Sequence, residues 1–129
     1  MNPTKNSKPD KEDLRNWLKR LQESERAIIV EGINDKKSLV SLGVSADRIF
    51  TLNKRAIFHQ IELIAEKHKE VIILTDLDKE GRVLYSKLKV GFERNGVKVD
   101  RFFREFLFRT DISHIEGLYN YIRKMIDIS

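Results

Sequence analysis

Apolar residues recur along this chain with two different periods. Leu14, Trp17, Leu18 and Leu21 are spaced along one helical face, so an amphipathic helix is expected over residues 11 to 23. The period then collapses, and Ala27-Ile28-Ile29-Val30 is an unbroken apolar run too short for a helix; Val71 to Thr75 carries a second. Runs of this kind, rich in β-branched residues and closed by turn signals, read as strands buried on both faces of a parallel sheet. Between them, Asn34 can cap a helix over about 35 to 43 that stops at Gly43. Arg48 to Leu52 reads as a short strand, and Asn53 can cap a helix over 54 to 68 carrying Ile57, Ile61 and Ile64. A helix over Lys79 to Asn95 is stopped by Asn95-Gly96, and Val97 to Asp100 makes a fourth strand that Phe102 to Phe108 extends or follows. Ser113 and Glu116 spell a capping box ahead of the stripe Ile115, Leu118, Tyr119, Ile122, Met125 and Ile126. Residues 1 to 10, with both prolines, read as a flexible tail. Residues 11 to 129 are then one α/β domain: a mostly parallel four-stranded sheet flanked by helices, with extra helices at either end.

Where the two apolar runs stop, carboxylates begin. The first passes into Glu31-Gly32-Ile33-Asn34-Asp35, the second into Asp76-Leu77-Asp78-Lys79-Glu80-Gly81-Arg82. Ligands of open α/β sheets bind just beyond the carboxyl ends of the strands. Adjacent strands would therefore bring Glu31, Asp76 and Asp78 to one rim. Oxygen-only clusters suit hard divalent cations, and Mg²⁺ is held by one or two carboxylates together with substrate phosphates. Side chains two apart on a continuing strand point to opposite faces, so the chain must turn at Leu77 for Asp76 and Asp78 to share an ion. Glu80 is a third candidate ligand, or a solvated charge in the first turn of a helix. Asp35 has the same two readings, with a phosphate contact in place of the ligand role. Lys36 and Lys37 open the same helix, whose amino-terminal amides can meet phosphate. Asp78 can also be simply a helix cap. Lys79 and Arg82 either steady a phosphate or lie on an exposed face.

The order and separation of Val30-Glu31-Gly32-x-x-Asp35 and Asp76-x-Asp78-x-Glu80-Gly81 resemble the Toprim domain. That module is shared by topoisomerases, bacterial-type primases, certain nucleases and recombination proteins. The likeness covers roughly residues 25 to 110 and is nearest to the small stand-alone Toprim proteins of prokaryotes. It implies Mg²⁺, with Mn²⁺ able to substitute, bound by Asp76, Asp78 and Glu80. Glu31 is implied as the general acid/base or a ligand of a second ion. The run from Asp76 to Arg82 is similar to the acidic triad of type IA topoisomerases, where a glutamate occupies the Glu80 position. Gly32 and Gly81 let backbone or phosphate come close.

Composition changes this picture in three places. With 25 Lys and Arg against 20 Asp and Glu, the net charge is +5, which suits a nucleic-acid partner without demanding one. Zero cysteines exclude disulfides, thiol nucleophiles and a cysteine-based zinc site. No stretch approaches the roughly 20 apolar residues of a membrane span, and the polar start lacks a signal-peptide core, so a cytoplasmic location is expected. Arg101 to Arg109 interleaves aromatic and basic residues, which serves either base stacking or core filling. His114 reads as a surface residue at the first helical position, with a metal or catalytic role the lesser alternative.

Two functions follow. One is Mg²⁺-dependent phosphotransfer or phosphodiester hydrolysis on RNA or DNA, as in the 5S ribosomal RNA maturases that carry this domain. The other is a non-catalytic adaptor that binds Mg²⁺ and nucleic acid within a larger complex, with protein partners or a second copy of itself. Topoisomerase and primase reactions are not expected, because their gate, platform and zinc modules find no room in 129 residues. A receiver domain fits the alternation, but it calls for paired acids after the first strand and a late lysine, and neither is evident.

Overall fold

The computed structural model describes residues 7–126. Its elements follow in the order α1 (Lys11–Glu23), β1 (Ala27–Val30), α2 (Ile33–Ser41), β2 (Ile49–Thr51), α3 (Ile57–Lys67), β3 (Glu70–Leu74), α4 (Lys79–Arg94), β4 (Lys98–Asp100), α5 (Phe102–Leu107) and α6 (Leu118–Met125). Short 3₁₀ turns at Ala46–Arg48 and Ile115–Gly117 precede β2 and α6. The four strands form one sheet in the order β2-β1-β3-β4 with every pairing parallel.

Strand β1, and β3 from Val71 onward, are apolar because both of their faces are covered. Ile28, Val30, Ile72 and Leu74 pack under α1, α2, α5 and α6, around Trp17, Leu39, Leu107 and Leu118. Ala27, Ile29, Val71 and Ile73 face the opposite way, against Ile57, Ile61 and Ile64 of α3 and Leu88 and Phe92 of α4. The unbroken apolar run therefore divides into two cores by simple strand alternation. Trp17 ties α1 to α5 by stacking on Phe106 and donating its indole N–H to the Phe103 carbonyl (3.1 Å).

Several local expectations shift. Helix α2 begins at Ile33 and not after Asn34, because the Gly32 N–H is taken by the Asp35 carboxylate (2.9 Å). Asn53 makes a turn, accepting from Arg55 N–H, and α3 starts only at Ile57. Phe102 to Leu107 is a helix, with Phe103 and Phe106 in the core and Phe102 and Phe108 exposed. The expected Ser113–Glu116 capping box does not form; Ser113 Oγ instead meets His114 Nδ1 at 2.9 Å. Of the tail expected over 1 to 10, residues 1–6 lie outside the described residues. Asp10 caps α1 in a reciprocal box with Asp13, and Lys8 pairs with Asp111 at 2.9 Å. No helix among the described residues is long and apolar enough to cross a membrane.

Candidate metal centre

The order β2-β1-β3-β4 means that the chain leaves β1 toward one edge and returns past it to β3. The crevice between the carboxyl ends of β1 and β3 is thus the point where strand order reverses, the place where doubly wound sheets bind ligands. Val30 pairs with Leu74 across it, so Glu31 and Asp76 emerge side by side. The Asp76 N–H donates to Glu31 Oε2 (2.8 Å). Leu77 then turns into the core at 6 % exposure, which reverses the strand alternation. Asp78 caps α4, its Oδ1 accepting from Gly81 N–H (2.8 Å).

Gly81 is required where it stands. A methyl group there would overlap the Asp76 carbonyl, so only glycine lets α4 press against the loop it follows. Thr75 Oγ1 donates to the Gly81 carbonyl (2.8 Å) and closes the turn from within. Gly32 differs: its φ of −150° is ordinary extended backbone, and a methyl group would meet only Asp35 Oδ2 at 3.9 Å.

One group of three potential ligands occurs among the described residues: Asp76, Asp78 and His114 each place a donor atom within 4.8 Å of the other two. Asp76 Oδ1 is occupied by the Ile115 N–H (2.9 Å), and Leu77 N–H donates to the Ser113 carbonyl (2.8 Å). His114 Nε2 lies 3.4 Å from Asp78 Oδ2. Each aspartate thus uses its Oδ1 to fix itself to backbone, and Asp78 turns its Oδ2 to His114. These donors fit a divalent cation. Glu31 and Glu80 lie outside this group. Glu31 borders the neighbouring cleft of about 680 Å³, which Glu80, Lys54, Lys79, Lys87, Ile57, Val83 and Leu84 complete.

The remaining candidates separate by environment. Asp35 is buried at 7 % exposure, where the sequence suggested a solvated charge. Burial, with Asp76, Glu31 and Glu116 nearby, pushes its pKa up to about 6 against the Gly32 N–H bond that favours its charged form. Lys36 is half-buried at the start of α2, and Arg82 is exposed, its guanidinium 5.3 Å from the Phe108 ring. Lys79 is exposed at the first position of α4.

One residue of this site was not singled out from the sequence, and another, His114, was read there first as a surface residue. Arg104 is buried behind the acidic loop, donating to the Asp76 carbonyl from Nη2 (2.8 Å), 4.5 Å from the Tyr85 ring and 5.1 Å from that of Phe108. Burial lowers its pKa, and Glu31 and Asp76 oppose that shift. Its only sequence signal was the basic-aromatic run. His114 lies 36 positions from Asp78, with no spacing rule to join them.

A sequence model of the Toprim domain matches residues 26–106. The chain belongs to the Toprim family. Similar proteins include the UPF0292 proteins of Pyrococcus abyssi, 44% identical over 82% of each chain, and of Methanocaldococcus jannaschii, 34% identical over 83% of this chain and 86% of that one. A solved protein from Aquifex aeolicus shares the fold at a TM-score of 0.74 and 34% identity, over 81% of this chain and 96% of that one. Toprim membership and the aspartate pair together carry the coarse function: divalent-metal binding at an acidic site, in association with nucleic acid.

Proposed function

We propose that this Toprim protein is a cytoplasmic, Mg²⁺-dependent phosphodiesterase acting on nucleic acid, with Mn²⁺ able to substitute. The observation that supports it most is the grouping of Asp76 and Asp78 at the reversal of strand order, with Glu31 bonded to the Asp76 N–H and a cleft bearing three lysines beside it. Asp76 and Asp78 hold the ion through the oxygens that their backbone bonds leave over. When bound, it supplies Lewis acidity at a phosphoryl oxygen. Lys54, Lys79 and Lys87 neutralise phosphates of the strand lying in the cleft. Glu31 keeps the Asp76 loop in place with Oε2, and as a water forms the new bond to phosphorus it gives a proton from Oε1 to the oxygen whose bond to phosphorus breaks.

The backbone bond of Glu31 also favours a second reading, in which that carboxylate only positions the loop and the protein is an adaptor that binds without cutting. Incubation with labelled RNA and DNA in Mg²⁺, Mn²⁺ or EDTA separates the two. Hydrolysis predicts metal-dependent cleavage that falls at least about a hundredfold in Glu31→Gln and is lost in Asp76→Asn. A metal-dependent mobility shift that survives Glu31→Gln, with no cleavage by the wild type, establishes the adaptor instead.

A further inference from the structure

We propose that His114 is a ligand of the ion held by Asp76 and Asp78, and that its imidazole biases the site toward Mn²⁺ and other first-row transition ions over Mg²⁺. The inference rests on the reading of Asp76 and Asp78 as metal ligands and adds the donor that sets ion choice.

The geometry is that of a coordination edge. Two donors about 2.1 Å from one ion stand roughly 3.0 to 3.4 Å apart at octahedral or tetrahedral angles. His114 Nε2 and Asp78 Oδ2 are separated by 3.4 Å, and an Asp76 oxygen completes the group within 4.8 Å. The imidazole is oriented as ligating histidines are, with its other nitrogen engaged: Nδ1 lies 2.9 Å from Ser113 Oγ, which leaves Nε2 for the ion. The residues on either side of His114 are fastened to the aspartate loop, Ser113 through its carbonyl on Leu77 N–H and Ile115 through its N–H on Asp76 Oδ1. Ile115 is fully buried, so the fastening is anchored in the core.

A plain ion pair between His114 and Asp78 is the rival account. Both side chains are about half exposed, at 53% and 40%, where such a pair contributes little. It also gives no reason for the third donor of Asp76. His114 lies beyond residue 106, where the match to the Toprim domain ends, so the family match does not itself account for this nitrogen donor. Carboxylate-only sites suit Mg²⁺, whereas imidazole nitrogen favours transition ions.

Titration of the full chain with Mn²⁺, read by the electron paramagnetic resonance of the free ion and repeated with Mg²⁺ as competitor, tests this without reference to activity. His114→Ala is expected to weaken Mn²⁺ binding at least about tenfold while changing Mg²⁺ binding less than about threefold. Equal losses for both ions, or none for Mn²⁺, overturn the proposal. Asp76→Asn distinguishes its failure from that of the underlying reading: if Asp76→Asn abolishes binding and His114→Ala does not alter it, only the histidine role fails. If Asp76→Asn binds Mn²⁺ like the wild type, the aspartate site itself is wrong. A measurement on the unaltered protein guards against folding defects. Substoichiometric Mn²⁺ should broaden the ring resonances of His114 but not those of His59 and His68, and uniform broadening or none refutes the assignment.

Discussion

Asp35 and Gly81 carry opposite kinds of constraint, and each yields a measurable consequence. The Asp35 carboxyl holds its proton more tightly in the folded chain than in the unfolded one, because burial and three neighbouring acids disfavour its charge. Its contribution to stability is therefore intact below the unfolded pKa near 4 and is lost as pH rises through about 6. Asp35→Asn keeps an oxygen for the Gly32 N–H and removes the charge. In EDTA, melting curves of this variant should show a gain of about 1 to 3 kcal/mol at pH 8 that disappears toward pH 4. A gain independent of pH would deny the buried charge its role. At Gly81 the limit is space. Gly81→Ala forces α4 off the Asp76 carbonyl and should cost about 2 kcal/mol or more, with metal binding weakened because Asp78 is held by the same turn. Gly32→Ala, with open room and ordinary backbone angles, is the matched control and should change stability by less than about 1 kcal/mol. Denaturant melts of the pair decide the point.

At the level of elements, α5 is the one whose role was least visible in the sequence. Its Arg104 reaches the back of the acidic loop, so a six-residue helix governs where Asp76 sits. Arg104→Met keeps the stem's packing against Tyr85 and Phe108 but removes the donor to the Asp76 carbonyl. Loss of that charged hydrogen bond should lower stability by about 1.5 to 3 kcal/mol in urea unfolding. Elements with strong local signals were legible: α1 from its apolar stripe, β1 and β3 from their continuous apolar runs, α4 from Asp78 before it and Asn95-Gly96 after it. The Glu31–Asp76 meeting was legible too, because parallel strands lay their carboxyl ends together. What could not be read depended on distant partners. Ser113 is an ideal cap by spacing, yet Asp76, 39 positions before Ile115, takes the N–H at the start of that turn. Phe102 to Phe108 fits either period, and only packing against Trp17 selects the helix.

Across the whole molecule, the net charge of +5 gains meaning from where some of it sits. Lys54, Lys79 and Lys87 come from the approach to α3 and from α4 and converge on the cleft beside Glu31. All three are exposed, so replacing them together with alanine should leave the melting temperature nearly unchanged. It should weaken nucleic-acid binding and flatten its salt dependence by about 2 to 3 in log K against log salt concentration. An unchanged slope would place the nucleic acid on another face. The fastening of Ser113 and Ile115 to the loop at Asp76 and Leu77 also bears on the order in which the molecule is made. During synthesis β1, β3 and the aspartates are laid down well before the residues that secure them, and the chain folds as it emerges. Until residue 115 arrives, Asp76 lacks the donor that orients it. An ion supplied to a growing chain should therefore bind late, and its capture would report that the carboxyl-terminal segment has docked.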